Sequence, residues 1–153
     1  MNAGSLLLPK IIKMGRPQKS RKVFNPPMMK GFNPFGLPLC EMGKVTLKIE
    51  EYESFKLVDY DMHSQEVASE LMNVSRPTFT RIYNKALKTI IKAFVEGKAI
   101  LIEGGNYQFD KDWFRCKKCY KLIEGLENHT KCTDCKIYGK EELVNLNQNN
   151  NNQ

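Results

Sequence analysis

The chain has 153 residues, 41% of them hydrophobic, and it carries a formal net charge of +7. This length predicts one compact domain with extensions, and no apolar run reaches the ~18 residues that a membrane-spanning helix needs. The short apolar run at 5–12 has lysines inside and after it, whereas a secretory signal has its charges before it. We therefore expect a cytoplasmic protein that does not enter a membrane. Met14 starts a motif typical of a natural N-terminus, which suggests that residues 1–13 are non-native or disordered.

The positive charge is unevenly placed along the chain. Up to Val45 there are eight Lys or Arg and one acidic residue, whereas from Thr46 onward there are sixteen of each. Residues 75–98 contain six Lys or Arg and one Glu, while residues 50–70 contain seven acidic residues and one Lys. A basic arm and a basic helix beside an acidic segment indicate that a polyanion binds on one side of the protein. For any single lysine, solvated surface is the alternative interpretation.

Residues 1–45 are predicted to form an extended basic arm, because prolines recur through the segment and oppose a helix. Gly-Arg-Pro at 15–17 is like the core of an AT-hook, which enters a narrow A·T minor groove while neighbouring cations follow the phosphates. Arg16, Lys19 and Arg21 are therefore candidate DNA contacts. An arm that is merely solvated, or packed on its own domain, is the alternative. The apolar side chains of the arm are expected to be core or dimer anchors: Phe24, Phe32, Phe35 and Leu37.

Apolar spacing predicts three helices in a domain at 46–109. After a short strand at 45–49, the first helix runs from 49 to about 61, and the second covers 65–72 with Ser64 as its N-cap. The third helix follows the N-cap Ser75 and runs to about Glu96, where Gly97 ends it. A small hairpin is predicted from 99–103 and 107–109, which flank two glycines.

Residues 64–82 have the features of a helix-turn-helix. Ala68 and Ser69 are small enough for two helices to cross closely, and Asn73 tolerates the positive φ that the turn requires. Phe79 and Ile82 are expected to face the core. Six side chains then remain exposed near the start of the third helix and are predicted to enter the major groove: Arg76, Thr78, Thr80, Arg81, Asn84 and Lys85. An ordinary three-helix bundle is the alternative.

The chemistry of these six side chains predicts different roles on DNA. Arg76 and Arg81 suit guanine edges, Asn84 suits adenine, and threonine methyl groups suit thymine. Lys85 and the Thr80 hydroxyl suit phosphates.

Several ordered segments resemble the bacterial and archaeal family of predicted DNA-binding proteins known as domain of unknown function 134. They are GRPQKSRKV (15–23), FGLPL (35–39), LxIEEYESFKLVD (47–59), MNVSRPTF (72–79), VEGKA (95–99) and IEGG (102–105). The resemblance implies a helix-turn-helix similar to that of sigma-factor region 4, and therefore DNA binding, but it implies no target gene or effector. The chain has Asn73 where the family usually has glycine.

Four of the five cysteines form two CxxC pairs, and Cys40 stands apart. Two such pairs suit a closed tetrahedral site, so Cys116, Cys119, Cys132 and Cys135 predict structural zinc. An iron site or an iron–sulfur cluster uses similar ligands. Segment 110–138 shows no obvious core and is expected to fold only with metal, and 139–153 is predicted to be a disordered Asn-rich tail.

Together these features predict a mainly α protein: a three-helix helix-turn-helix core, an extended basic arm and a small four-cysteine zinc module. The predicted function is transcriptional regulation through double-stranded DNA, with a homodimer as one expected state. A metal- or redox-responsive DNA-binding switch and an RNA-binding or translation-associated protein are the alternatives. An enzyme is not expected, because neither of the two histidines lies in a recognisable catalytic motif.

Overall fold

The computed structural model describes residues 19–38, 42–128 and 143–147. The described helices are α1 (Ile49–Phe55), which continues as a π-helical turn (Lys56–Tyr60), α2 (Gln65–Leu71), α3 (Arg76–Glu96) and a 3-10 turn (Leu126–Asn128). The described strands are β1 (Arg21–Val23), β2 (Gly31–Phe32), β3 (Lys44–Leu47), β4 (Ala99–Ile102), β5 (Tyr107–Phe109), β6 (Trp113–Cys116), β7 (Leu122–Glu124) and β8 (Leu143–Asn145). None of the described helices has the length and apolar character needed to cross a membrane.

The expected mainly α class is wrong, because the described residues combine the helices with strands in three small sheets. Strand β3 pairs in parallel with β4, and β2 pairs with the other edge of β4. Parallel neighbours need a crossover connection, and here the connection contains all three α-helices. The fold is therefore an α/β arrangement in which the helical unit is inserted between two adjacent strands.

The described part of the arm is built into the fold rather than extended away from it. Strand β1 pairs in parallel with β5, with Arg21 opposite Tyr107, and β2 pairs antiparallel with β4. The alternative of an arm packed on its own domain therefore holds for residues 21–32. Strand β4 pairs with β2 and β3, whereas β5 pairs with β1, so β4 and β5 lie in different sheets. The predicted hairpin at 99–109 is therefore wrong.

Two clusters of buried side chains hold the helices in place. One lies between α1, α3 and the β3–β4 sheet and consists of Leu47, Ala86, Ala93, Ile100 and Ile102. The other lies under α2 and the start of α3 and consists of Leu57, Ala68, Met72 and Phe79. Because α3 contributes to both clusters, its position is set at both ends.

The C-terminal segment differs from the zinc module that was expected. Strand β6 is the centre of an antiparallel sheet with β7 on one side and β8 on the other. Its small core of Phe114, Cys116 and Ile123 supplies the apolar packing that the sequence did not reveal. The disordered tail predicted at 139–153 is wrong for residues 143–145, because they form strand β8 and pair with β6. Cys132 and Cys135 lie outside the described residues, as do 1–18.

Candidate nucleic-acid interface

Local signals in the sequence form the two helices and the turn at 64–97. The Ser64 hydroxyl accepts a hydrogen bond from the Val67 N–H and caps α2, as predicted. Asn73 has φ 55°, the left-handed conformation that asparagine tolerates better than most residues. Gly97 ends α3 with φ 62°, again as predicted. Ser64 therefore marks where α2 begins, Asn73 forms the turn that separates α2 from α3, and Gly97 marks where α3 ends.

The contact between α2 and α3 depends on small and apolar side chains. Ala68 and Phe79 are completely buried against each other's helices, and Ser69 is nearly so. Val74, in the turn, packs against the same cluster, and its N–H donates to the Ser69 carbonyl. The buried face of α3 is therefore set by α2, and the opposite face of its first half turns to solvent.

The solvent-facing side of this half of α3 is basic and polar. Arg76, Arg81, Asn84 and Lys85 are exposed there. Within the described residues, the side chains of Arg81 and Asn84 make no hydrogen bond or ion pair. A helix that presents adjacent guanidinium and amide groups without partners can reach a polar ligand without breaking existing bonds.

Two of the exposed cations already have acidic partners. Arg76 Nε lies 2.8 Å from Glu66 Oε1, and both side chains are largely exposed. Lys85 Nζ lies 2.8 Å from Oε1 of Glu51, a residue that is almost fully buried in α1. An exposed ion pair contributes little and is easily exchanged, so we expect Arg76 to be released more readily than Lys85.

The two threonines have more structural roles than the sequence suggested. The Thr80 hydroxyl donates to Gln65 Oε1 at 2.9 Å and so joins α3 to the start of α2. The Thr78 and Ser75 hydroxyls share a hydrogen bond, and the Ser75 side chain makes no capping bond to the backbone of α3. Ser75 occupies the predicted N-cap position, but its hydroxyl does not satisfy the first N–H groups of the helix.

The arm reaches the turn before α3. Lys19 Nζ donates to Asn73 Oδ1 at 2.9 Å, and the Lys22 N–H donates to the Met72 carbonyl. Arg21 lies in β1, partly buried, with its Nε inside the protein. Lys19 is thus brought beside the exposed face of α3, whereas Arg21 is directed toward the protein. Arg16 lies outside the described residues.

Three acidic side chains of α1 are buried, which the sequence analysis did not anticipate: Glu50, Glu51 and Glu53. Glu50 accepts from the Asn106 N–H, Glu51 accepts from the Lys48 N–H, and Glu53 binds Lys56 and the Phe24 N–H. Burial raises the pKa of Glu53, although Lys56 and the Phe24 N–H oppose the shift. The acidic segment therefore joins the arm, the β4–β5 connection and α3 to one helix.

The first CxxC pair begins with the last residue of β6 and ends in the turn that follows this strand. Cys116 is buried and Cys119 is partly buried, and neither forms a disulfide within the described residues. The Tyr120 N–H closes the turn on the Cys116 carbonyl. Two thiols in such a turn fit a tetrahedral zinc site, but only this half of the predicted ligand set is described. Accordingly, no group of three or more metal-binding side chains occurs among the described residues.

The cysteine-bearing sheet is joined to the arm by side chains of β6. The Arg115 guanidinium donates to the carbonyls of Pro27 and Met28, and Trp113 Nε1 donates to the Phe24 carbonyl. Desolvation lowers the pKa of Arg115 from its ordinary value. These bonds connect the sheet, through the arm, to the turn before α3.

Comparison with known proteins identifies relatives but no function. A family model described as "Protein of unknown function DUF134" matches residues 11–110. A UPF0251 protein of Clostridium botulinum is 41% identical over 134 residues, which cover 86% of this chain and 83% of that protein. A UPF0251 protein of Halothermothrix orenii is 40% identical over 111 residues, covering 72% of this chain and 82% of that protein. No solved structure matches. This chain therefore belongs to the DUF134 family of proteins of unknown function.

Proposed function

We propose that this protein binds double-stranded DNA with the first half of α3 and acts as a transcriptional regulator. The observation that carries the proposal is the exposed pair Arg81 and Asn84, without partners among the described residues, on a helix whose other face is packed against α2. Arginine pairs bidentately with guanine and asparagine with adenine in the major groove. A helix held by a crossing helix across a short turn is the arrangement with which a helix-turn-helix enters that groove.

The N-terminus of α3 supports contact with phosphate. A helix N-terminus usually has acidic residues in its first turn because the helix dipole is positive there. The first turn of α3 has no acidic residue, and it begins with Arg76. Because the Ser75 side chain makes no capping bond, backbone N–H groups at this end remain available for an anion. A DNA phosphate would supply the negative charge that acidic side chains supply at other helix N-termini.

The proposed contacts divide into two groups. Arg81 and Asn84 face base edges, and Arg76 reads a base once Glu66 releases it. Lys19 and Lys85 contact phosphates on either side of the groove. Thr78 and Thr80 position the helix through Ser75 and Gln65. Arg16 remains a proposed minor-groove contact, whereas Arg21, whose Nε is buried, is not part of the proposed interface.

One pair of variants tests the proposal. Arg81→Ala and Lys92→Ala each remove one positive charge from an exposed position of α3, but only Arg81 lies in the proposed reading half. Fluorescence anisotropy with labelled duplex DNA should show that Arg81→Ala weakens binding to a selected site about tenfold, whereas Lys92→Ala weakens it about twofold. Equal losses of affinity in the two variants would show that α3 attracts DNA only through its overall positive charge. Tighter binding to duplex or single-stranded RNA of matching sequence would favour the RNA alternative.

A metal-responsive switch is the second candidate, and the bonds from β6 to the arm favour it. If Cys116 and Cys119 bind zinc together with Cys132 and Cys135, metal loss would loosen a sheet that is joined to the arm by Trp113. The arm is in turn bonded to the turn before α3. Duplex affinity measured before and after chelation tests this candidate, which requires that affinity fall when metal is removed and return when zinc is added.

A further inference from the structure

An exposed apolar patch lies on the arm and on the second half of α3. It consists of Phe32, Phe35, Leu37, Ile91, Phe94 and Val95. Phe35 is fully exposed at 103% of its reference area, and Phe94 is 81% exposed. Single exposed apolar residues need no explanation, but several that are neighbours on one helix and on one short arm segment indicate an interaction surface. We call these six residues the apolar patch.

A groove opens within the apolar patch. Its volume is about 450 Å³, and its walls are apolar, with Phe32, Pro34, Phe55, Ile90 and Phe94 among the lining side chains. Leu37 lies beside it, close to Gly97 at the end of α3. The groove is therefore next to the fully exposed Phe35, which belongs to the same segment as Phe32 and Pro34. A projecting aromatic ring beside an apolar recess is a self-complementary surface.

We propose that a second copy of this chain covers the apolar patch, with Phe35 of each protomer entering the groove of the other. In a two-fold dimer the same surface is used by both protomers, so a projection and a recess on one face satisfy each other reciprocally. The three phenylalanines alone expose roughly 500 Å², because one phenylalanine side chain offers about 200 Å². With Leu37, Ile91 and Val95 the patch reaches roughly the 800 Å² that each partner contributes to a standard interface.

The position of the patch along α3 matches the geometry of a DNA-binding dimer; this step rests on the proposed function. Phe94 follows Arg81 by thirteen residues, which is about 20 Å along a helix. A two-fold axis that crosses α3 at a right angle near Phe94 places the two Arg81 residues about 40 Å apart. Successive major-groove half-sites on one side of DNA lie about 34–36 Å apart. Ile91, Phe94 and Val95 lie about 80°, 140° and 40° around the helix from Arg81, on the same side as Asn84, so the dimer contact is separated from the reading residues along α3 and not around it.

Light scattering or sedimentation of the full chain between about 1 and 100 µM tests the proposed dimer. Wild-type protein is expected to have the mass of a dimer, and Phe94→Glu is expected to raise the dimer dissociation constant by roughly 30-fold or more. Tyr60→Glu is the matched control, because Tyr60 is an equally exposed aromatic residue (81%) outside the apolar patch. It should leave the mass unchanged, and circular dichroism should show that both variants are folded.

The dimer and the proposed DNA binding can fail independently of each other. A monomeric wild type at 100 µM, or a dimer that Phe94→Glu leaves intact, would overturn the dimer. A monomer that binds 1-anilinonaphthalene-8-sulfonate at the patch would overturn it in favour of a small apolar ligand. DNA binding by a monomer would leave the proposed function standing, whereas a Phe94-dependent dimer without DNA affinity would refute only that function.

Discussion

Replacing Glu51 by glutamine removes the buried partner of Lys85 while keeping the size of the side chain. Wild-type Lys85 Nζ lies 2.8 Å from the Glu51 carboxylate, which also accepts the Lys48 N–H at the start of α1. A glutamine Oε1 can still accept that N–H, so the change removes a charge and not a cap. We expect two effects of opposite sign: a less stable fold and tighter binding to DNA.

The magnitudes follow from burial and charge. Glu51 is almost fully buried but Lys85 is mostly exposed, so solvent screens the pair, and its loss should lower the free energy of unfolding by about 1 kcal/mol. In the variant, Lys85 no longer has to leave a carboxylate to reach a phosphate, which is worth about 0.5–1 kcal/mol, or a two- to fivefold gain in affinity. If Lys85 becomes a full phosphate contact, the slope of log affinity against log salt should steepen by about 0.9.

Urea unfolding measures the first effect, and anisotropy with any mixed-sequence duplex at several salt concentrations measures the second, because phosphate contacts do not depend on sequence. Glu66→Gln is the control: it frees Arg76 from an exposed ion pair, so affinity should rise while stability changes by less than about 0.5 kcal/mol. If Glu51→Gln weakened DNA binding in a folded protein, or left affinity and salt slope unchanged, the placement of Lys85 at the DNA surface would be refuted.

Three further predictions concern the fold and the metal. Burial raises the pKa of Glu53, so the folded state holds its proton at a pH where the unfolded state has lost it. The free energy of unfolding should therefore fall as the pH rises from the ordinary pKa of 4.5 through the folded pKa. Urea titrations at a series of pH values should show that Glu53→Gln removes this pH dependence. Gly105→Ala should lower the free energy of unfolding by about 1–3 kcal/mol more than Gly36→Ala in the same assay. Both glycines have positive φ, but only at Gly105 would a Cβ collide with the Glu50 carboxylate. Equal losses of stability in the two variants would contradict that close packing. Elemental analysis should find about one zinc per chain, which Cys116→Ser should abolish and Cys40→Ser should retain; iron with a visible chromophore would contradict the zinc assignment.

Local sequence signals were sufficient for the helices. Ser64 caps α2 with its own hydroxyl, and Gly97 ends α3 because its backbone adopts a positive φ. Asn73 likewise forms the turn because its own backbone adopts a positive φ. Such effects need no knowledge of distant residues, so α2, the turn and α3 were predicted nearly to the residue. The π-helical turn after α1 has no comparable local signal, so the sequence predicts only a continuation of that helix.

The sheets depend on pairings that no local pattern records. Strands β1 and β2 have only three and two residues, too few for an alternating pattern to show. The prolines of the arm exclude a helix, but they do not exclude short strands between them. The parallel pairing of Arg21 with Tyr107 joins residues far apart in the chain. This is why a mainly α fold was expected and an α/β fold was found.

The candidate interface was predictable in composition but not in its internal bonds. The basic face of α3 could be predicted because helical periodicity separates Arg81 from the buried Phe79. The burial of Glu51 and Glu53 could not, because a run of acidic residues is usually a solvated surface. Their partners, Lys85 and the Phe24 N–H, are distant in sequence, so only the fold brings them together.

Sequence selection from a random pool of duplex DNA tests the central claim most directly. Wild-type protein is expected to enrich one motif, and Arg81→Ala should relax selection at one or two base pairs of that motif while leaving the others enriched. If the enriched motif contains two half-sites, the apolar patch predicts that their centres lie about one turn of DNA apart. No enrichment from the pool, or a motif that Arg81→Ala and Asn84→Ala leave unchanged, would contradict the proposal that α3 reads DNA.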